Sequence, residues 1–406
     1  MYGLLFVILK MKMKNILIIS SVFKPEPVVS ARISEEIALA LAQQNNVVVL
    51  TPPPSRPKGF DFSGKELYDN RYKRVITDSY VFPESKFIGR MRESFSFGLE
   101  TYRYIRRNKD EIDVIYANTK PLFGIYFTLY ASARYGIPVI LHIQDIYPES
   151  MLSRIGNGKK IIETLFVHLD KILYRKAFRI LTISDKMREY ISETRNILSD
   201  KVEVVRNWQD ESNFLEVEHI ENKCFTFMFV GSISAAAGVD FLIRSFIKGS
   251  FEDCRLIIVG DGSQKDYCKK IVCDAGVANI LFESVLPNDV PSVQERADVL
   301  LLPLKKGIGK TASPSKLPAY MLSGKPIIAC VDSGCDTDSV ITSALCGIVS
   351  EAENEIALIA AMNTMRSLKK QELVQMGQNG RRFALANMSK AANLNKIVKI
   401  INSIGQ

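Results

Sequence analysis

The sequence predicts an α/β fold of two doubly wound, Rossmann-like domains, each built on a parallel sheet. Three observations carry that expectation. Short, nearly continuous apolar runs alternate with helical patterns, as a sheet covered on both faces requires. The alternation breaks once, at the acidic and polar stretch Gln209–Lys223, and then begins again. The chain is 406 residues long, more than one hydrophobic core ordinarily organises. The first domain is therefore placed at residues 13–208 and the second at 209–386, with a terminal helix at 387–406 packing back on the first.

The first strand is Asn15–Ser21, and the loop Val22–Pro27 leads to a helix with Ser30 as N-cap and Ile33, Ile37 and Leu41 at helical spacing. Val47–Leu50 is the second strand, stopped by Pro52, Pro53 and Pro54, and the polar stretch Ser55–Arg74 reads as a mobile loop. Further strands are expected at Asp113–Ala117, Pro138–Ile143, Arg179–Ile183 and Val202–Val205. In the second half they are expected at Phe225–Val230, Arg255–Val259, Ile280–Glu283, Val299–Leu304 and Ile327–Val331, with two closing helices over Gln371–Ile404. Ligands of such sheets bind beyond the carboxyl ends of the strands, at the switch point, so two facing sheets imply one cleft between domains.

Apolar residues at 47% and charged ones at 24% describe a globular chain, not a disordered one. The net charge of +9 fits polyanionic or membrane-surface partners, while no helix-turn-helix, zinc or RNA-recognition signature supports nucleic acid. Seven cysteines without metal-like spacing read as reduced thiols of a cytosolic protein. The apolar run Leu4–Leu9 is far shorter than the ~20 residues of a spanning helix, and no small-residue cleavage site follows it. Translation is expected to begin at Met11 or Met13 rather than Met1; a short membrane-dipping segment is the alternative.

The stretch Pro303–Ala329 is the centre of the expected chemistry. After the apolar run come Gly307 and Gly309 with Lys305, Lys306 and Lys310, then Ser313-Pro314-Ser315-Lys316 opening a helix that Gly324 closes. A strand, a cationic loop and a helix N-terminus with free amides form a site for an anion, most simply phosphate; an ordinary turn with solvated lysines uses the same residues. Gly231-Ser232 through Gly238, with a helix from about Ala236, and Gly260-Asp261-Gly262 are two further small-residue turns at strand ends. They suit a nucleotide lying against backbone, or tight strand–helix packing.

These stretches together resemble the donor domain of retaining glycosyltransferases of family four, which have the two-sheet GT-B fold. The matching residues are Phe229-Val230-Gly231, Gly238 with Leu242-Ile243, Gly260-Asp261-Gly262, Ala297-Asp298-Val299 with Pro303, and Gly324 to Ala329. In the first half Leu181 to Ser184 and Val204 to Trp208 with Ser212-Asn213-Phe214 match the family's end-of-domain signature. Ile143 to Ser150, Asn207-Trp208 and Pro314 to Leu317 resemble transferases of bacterial O-antigen and capsule assembly, among them enzymes that add N-acetyl-L-fucosamine to lipid-linked intermediates.

The resemblance implies a metal-independent hexosyltransferase without cofactor, taking a nucleotide-sugar, by resemblance UDP-linked, as donor. It implies donor-binding roles for Gly231, Ser232, Asp261, Gly262, Lys310, Thr311, Pro314, Ser315 and Lys316, catalytic roles for Asp145, Lys316 and Glu149, and acceptor contacts for Glu26 and Arg32. Competing roles stand beside these: a turn or N-cap aspartate for Asp145, capping and surface pairing for Glu26 and Arg32. The chain also departs from the family. Ser232 and Ala237 stand where cations are usual, the paired glutamates fall on Thr311 and Ala319, and Gln144 stands where many members carry histidine. Lys316 and Lys310 are the substitutes expected to meet the diphosphate charge.

Residues 86–109 mix aromatic and aliphatic side chains with five arginines, and Lys159, Lys160, Lys171, Arg175, Lys176 and Arg179 extend the positive charge. A segment of that kind suits docking on the inner face of the cytoplasmic membrane, where a polyprenyl-diphosphate-linked glycan would be the acceptor. The competing role is a core-packed helix with solvated arginines. A nucleotide-sugar epimerase on the same plan, and a non-catalytic binding module, are the other functions the sequence admits.

Overall fold

The computed structural model describes residues 13–56, 59–62, 69–82, 87–118, 122–146, 149, 159–215, 217, 222–309 and 314–405. They form two compact units: Met1–Thr182 with Met187–Val204 and Lys396–Gln406, and Ile183–Lys186 with Val205–Asn395.

The first unit holds seven parallel strands in the order β3-β2-β1-β4-β5-β6-β7. They are β1 Asn15–Ser20, β2 Asn46–Thr51, β3 Lys73–Ile76, β4 Val114–Asn118, β5 Val139–Ile143, β6 Arg179–Thr182 and β7 Val202–Val204. The chain reverses its direction of winding between β1 and β4. The strand β3 begins in the last two residues of the polar stretch expected to be a loop and ends beyond it; only Val75 and Ile76 are apolar, and the burial of this edge strand is partial. The first helix, Val29–Ala42, begins one residue before Ser30 with Val28 at the N-cap, so Ser30 does not cap it. At the far end of the chain Lys14 Nζ donates to the carbonyls of Ile401 (2.8 Å) and Ile404 (2.6 Å), satisfying the closing turn of the helix Lys390–Asn402.

The second unit holds six parallel strands in the order β10-β9-β8-β11-β12-β13. They are β8 Phe225–Val230, β9 Cys254–Val259, β10 Ile280–Glu283, β11 Val299–Pro303, β12 Ile327–Val331 and β13 Gly347–Glu351. The apolar runs are continuous because each strand feeds two cores. Val299 and Leu301 enter one with Phe227, Phe229 and Met362, and Leu300 and Leu302 enter the other with Met228, Tyr320 and Leu322. Burying each such side chain contributes roughly 1.5–3 kcal/mol. Here the winding reverses between β8 and β11, and that is where the site is built.

Candidate functional site

Strands β8 and β11 pair only at Val299 with Phe227 and Leu300 with Met228, so the ladder opens beyond them toward the carboxyl ends. Val230 therefore lacks a strand partner on that side. The Tyr320 hydroxyl replaces it, accepting from the Val230 N–H (2.7 Å) and donating to the Val230 carbonyl (3.0 Å). Tyr320 is fully buried and sits in the helix Leu317–Leu322. The strand end is thus fixed by the same helix that carries Lys316 at its N-cap.

Gly231 follows at φ +149°, and the Lys316 chain lies against it: a β-carbon built on Gly231 would be 2.0 Å from Lys316 Cε. The Lys316 ammonium lies 4.4 Å from the centre of the Phe229 ring. It makes no ion pair among the described residues, and burial pulls its pKa down to about 8. An ammonium lowered in this way is a charge in need of an anion.

The two glycine turns stack backbone on backbone. A β-carbon on Gly260 would lie 2.1 Å from the Gly231 oxygen, and one on Gly262 would lie 2.4 Å from the Ile233 oxygen. Hydrogen bonds from Gly231 N to Val259 O (2.9 Å) and Ile233 N to Asp261 O (2.8 Å) hold them. Gly260 and Gly262 are accounted for by that contact without a ligand. The Asp261 side chain is exposed, bonded by Lys265 Nζ (3.0 Å) and the Ser284 hydroxyl (3.1 Å), which hold its carboxyl below the usual range. Ser232 is exposed beside it. The expected helix from Ala236 is delayed: a 3-10 turn, Ala235–Ala237, comes first, and Gly238 in the left-handed region starts Val239–Lys248.

Two amides of the lysine loop are already bonded: the Asp332 carboxylate accepts from Gly307 N (2.8 Å) and Gly309 N (3.0 Å). Lys305 pairs with Asp240 (3.1 Å) and Glu353 (3.4 Å), and Lys306 with Glu351 (3.4 Å). The helix expected at Ser313-Pro314 starts instead at Leu317, whose N–H bonds the Pro314 carbonyl (3.1 Å), and Pro318 brings no N–H to its first turn. Pro314 is half-buried and Ser315 exposed, while Lys310 and Thr311 lie outside the described residues. The positive charge offered here is accordingly that of Lys316, not of a nest of amides.

In the first unit Glu26 and Asp145 follow the carboxyl ends of β1 and β5. Glu26 is buried. Its Oε1 accepts from the backbone N–H of Ser55 (2.7 Å) and Arg56 (3.0 Å), its Oε2 has no hydrogen-bond partner among the described residues, and burial raises its pKa. Arg32 pairs with Glu36 one turn along its helix (3.3 Å). Asp145 is half-buried. Glu149 is gripped by Arg195 through two bonds (2.5 and 2.9 Å) and by the Tyr190 hydroxyl (2.9 Å). Although burial opposes its charge, those bonds hold its carboxyl below the usual range.

The basic aromatic segment forms the helix Phe87–Arg107. Phe97 and Ile105 enter the core, and a β-carbon on Gly98 would lie 2.8 Å from the Phe123 carbonyl, so this helix packs closely on Leu122–Tyr135. Arg90 pairs with Glu93 and Arg103 with Glu100. Ile88 (73% exposed), Phe95 (49%), Arg92 and Arg106 face solvent, and Lys86 lies outside the described residues. No described helix is long and apolar enough to cross a membrane. Among the described residues no group of three or more His, Cys, Asp or Glu is placed to hold a metal ion.

Sequence reasoning missed Tyr320, Asp332 and Arg195. Each acts by holding backbone or another side chain at long range in sequence, and no local pattern marks such a role.

Two family profiles match the chain: Glycosyltransferase Family 4 over residues 30–213 and Glycosyl transferases group 1 over residues 224–367. The probable glycosyltransferase WbjE of Pseudomonas aeruginosa is 22% identical over 335 residues, 79% of this chain and 81% of that one. An uncharacterized glycosyltransferase, MJ1607 of Methanocaldococcus jannaschii, is 24% identical over 140 residues, 31% of this chain and 36% of that one. Among solved structures, a glycosyltransferase from Rickettsia africae superposes with a TM-score of 0.72 at 13% identity, covering 97% of this chain and 100% of that one. Anabaena Alr3699/HepE in complex with UDP superposes with a TM-score of 0.69 at 15% identity, covering 96% and 100%. The two parallel-sheet units are those of the GT-B fold.

Proposed function

The chain belongs to glycosyltransferase family 4, and on that premise we propose that it transfers a sugar from a UDP-sugar to a polyprenyl-diphosphate-linked glycan with retention of anomeric configuration. The sugar class is an N-acetylated deoxyhexosamine and the setting is O-antigen or capsule assembly, a reading supported by the 22% identity to WbjE and by residues 143–150. A structural neighbour's complex with UDP supports the nucleotide. The observation that carries the reading is Lys316: a half-buried ammonium beside Gly231, without a counter-ion among the described residues.

In this reading the donor lies on the second unit and the acceptor on the first. The bond from the anomeric carbon to the diphosphate oxygen breaks, and the acceptor hydroxyl oxygen bonds to that carbon on the same face. Its proton passes to the leaving diphosphate. The negative charge that builds on the diphosphate is met by Lys316, and one such contact is worth roughly 2.7–4 kcal/mol of barrier. Asp145 holds the acceptor hydroxyl, with Glu26 and Arg32 as further acceptor contacts. Lys310 and Thr311 complete the donor site in this reading, and no metal takes part. The exposed Ile88, Arg92, Phe95 and Arg106 set the enzyme on the anionic inner face of the membrane, where such acceptors reside.

The test is release of UDP from a panel of UDP-sugars with and without an undecaprenyl-diphosphate-linked sugar. Acceptor-dependent release is expected. Isomerisation or release that ignores the acceptor indicates an epimerase, and UDP binding without turnover indicates a binding module.

A further inference from the structure

The helix that carries Lys316 at its N-cap, Leu317–Leu322, is six residues long and buried throughout, so its last carbonyls need partners from within the fold. Arg381 supplies them from the helix Lys370–Asn387. Its Nε donates to the Leu322 carbonyl (2.8 Å), and its Nη2 to the carbonyls of Ser323 (3.2 Å) and Phe214 (3.1 Å). A guanidinium at the carboxyl end of a helix also meets the negative end of its dipole. The two helices touch backbone to backbone at the same place. Gly324 turns the chain at φ +72°, and a β-carbon on Gly377 would collide with the Gly324 carbonyl.

Tyr320, in the middle of the short helix, is its hydrogen-bonded anchor on Val230. The packing of Leu317, Met321 and Leu322 into the core is non-directional. A single directional anchor at Tyr320 would therefore leave the helix able to tilt about that residue. Arg381 is the second anchor. At about 1.5 Å per residue, Ser323 lies roughly 4.5 Å along the axis on one side of Tyr320 and Lys316 roughly 6 Å on the other. Bonds from Tyr320 N to Lys316 O (3.0 Å) and from Ser323 N to Ala319 O (3.0 Å) make the segment one unit. A shift at the Arg381 end thus reaches Lys316 in the opposite sense and somewhat enlarged. We propose that Arg381 is a positioning residue for the donor: by holding the carboxyl end of this helix it aims Lys316 at the diphosphate. The inference rests on the reading of Lys316 as the charge that meets the donor, and Arg381 acts through that side chain.

The test is a double-mutant cycle on UDP affinity, read by calorimetry for Arg381→Met, Lys316→Met and the two together, with urea titrations of each. Met362→Ala, which opens a gap in the other core of this unit, is the control for lost stability alone. Arg381→Met is expected to weaken UDP binding about 10-fold. The double variant is expected to bind UDP no more weakly than Lys316→Met, because both changes remove the same contact. Arg381→Lys, which keeps the charge and loses the fork, should fall between parent and Arg381→Met. Met362→Ala should lose stability and keep parental affinity. Should Arg381→Met fail to fold, Arg381→Lys takes its place in the cycle. Additive losses in the double variant, or parental affinity in Arg381→Met while Lys316→Met is impaired, would overturn the positioning role and leave Lys316 standing. Parental affinity in Lys316→Met would remove the reading beneath it. An equal loss of affinity in Met362→Ala would mark Arg381 as structural only.

Discussion

Lys316 fills the space that a side chain on Gly231 would need, with its Cε 2.0 Å from where that β-carbon would stand. Gly231 also sits at φ +149°, where other residues are strained. Gly231→Ala is therefore expected to expel the lysine from its place over Phe229. Stability should fall by about 1–3 kcal/mol, and UDP affinity should fall with it. Chemical denaturation and calorimetry check this; an alanine variant that binds UDP as the parent does would separate Lys316 from the donor.

Proton linkage gives a second prediction. The pKa of Lys316, about 8, lies below that of the unfolded chain, about 10.4, because burial penalises the ammonium. The charged form is then half-populated at about pH 8 and close to complete only below about pH 7, and a bound diphosphate favours it. UDP affinity should hold steady up to about pH 7 and decline as pH rises through about 8. Lys316→Met should lower the affinity and abolish the decline. The stability sign is opposite: between about pH 8 and 10.4 the unfolded chain binds more protons, so the Lys316 contribution to folding stability rises with pH. Urea titrations across that range, parent against Lys316→Met, read it out.

Asp332 takes the amides of Gly307 and Gly309, so Asp332→Ala leaves two N–H groups without their acceptor. A loss of about 1–3 kcal/mol is expected, measurable as a lowered denaturation midpoint. Unchanged stability would show that solvent replaces the carboxylate there.

The exposed side chains of the helix Phe87–Arg107 predict binding to vesicles containing phosphatidylglycerol and not to neutral ones. Arg92→Gln with Arg106→Gln should weaken that binding about 30-fold, at about 1 kcal/mol per arginine. Equal sedimentation with both vesicle types would contradict lipid docking.

The strands were legible because the second unit's runs feed two cores and are apolar nearly throughout, Thr226 in β8 and Arg255 in β9 being exceptions near their starts; Val299–Pro303 is buried throughout. The edge strands Lys73–Ile76 and Gly347–Glu351 were not, because each is only partly buried and reads as mixed polarity. The site was legible as a set of glycines and a lysine. What sequence could not give was their division of labour. Gly260 and Gly262 serve backbone packing, Lys305 and Lys306 are neutralised by carboxylates 45 or more residues away along the chain, and the helix expected at Ser313 starts at Leu317 once Pro314 closes the turn before it. Apart from the local turn at Pro314, these are pairings distant along the chain that local pattern does not encode. Glu149, a catalytic candidate in sequence, is paired with Arg195, 46 residues further along the chain.

The most direct test is a crystal structure of the chain soaked with UDP. A phosphate oxygen within about 2.7–2.9 Å of Lys316 Nζ, the ordinary distance for an ammonium on a phosphate, is the predicted result. UDP bound with both phosphates beyond reach of that side chain would contradict the assignment of Lys316 to the diphosphate, and the proposed transfer mechanism with it.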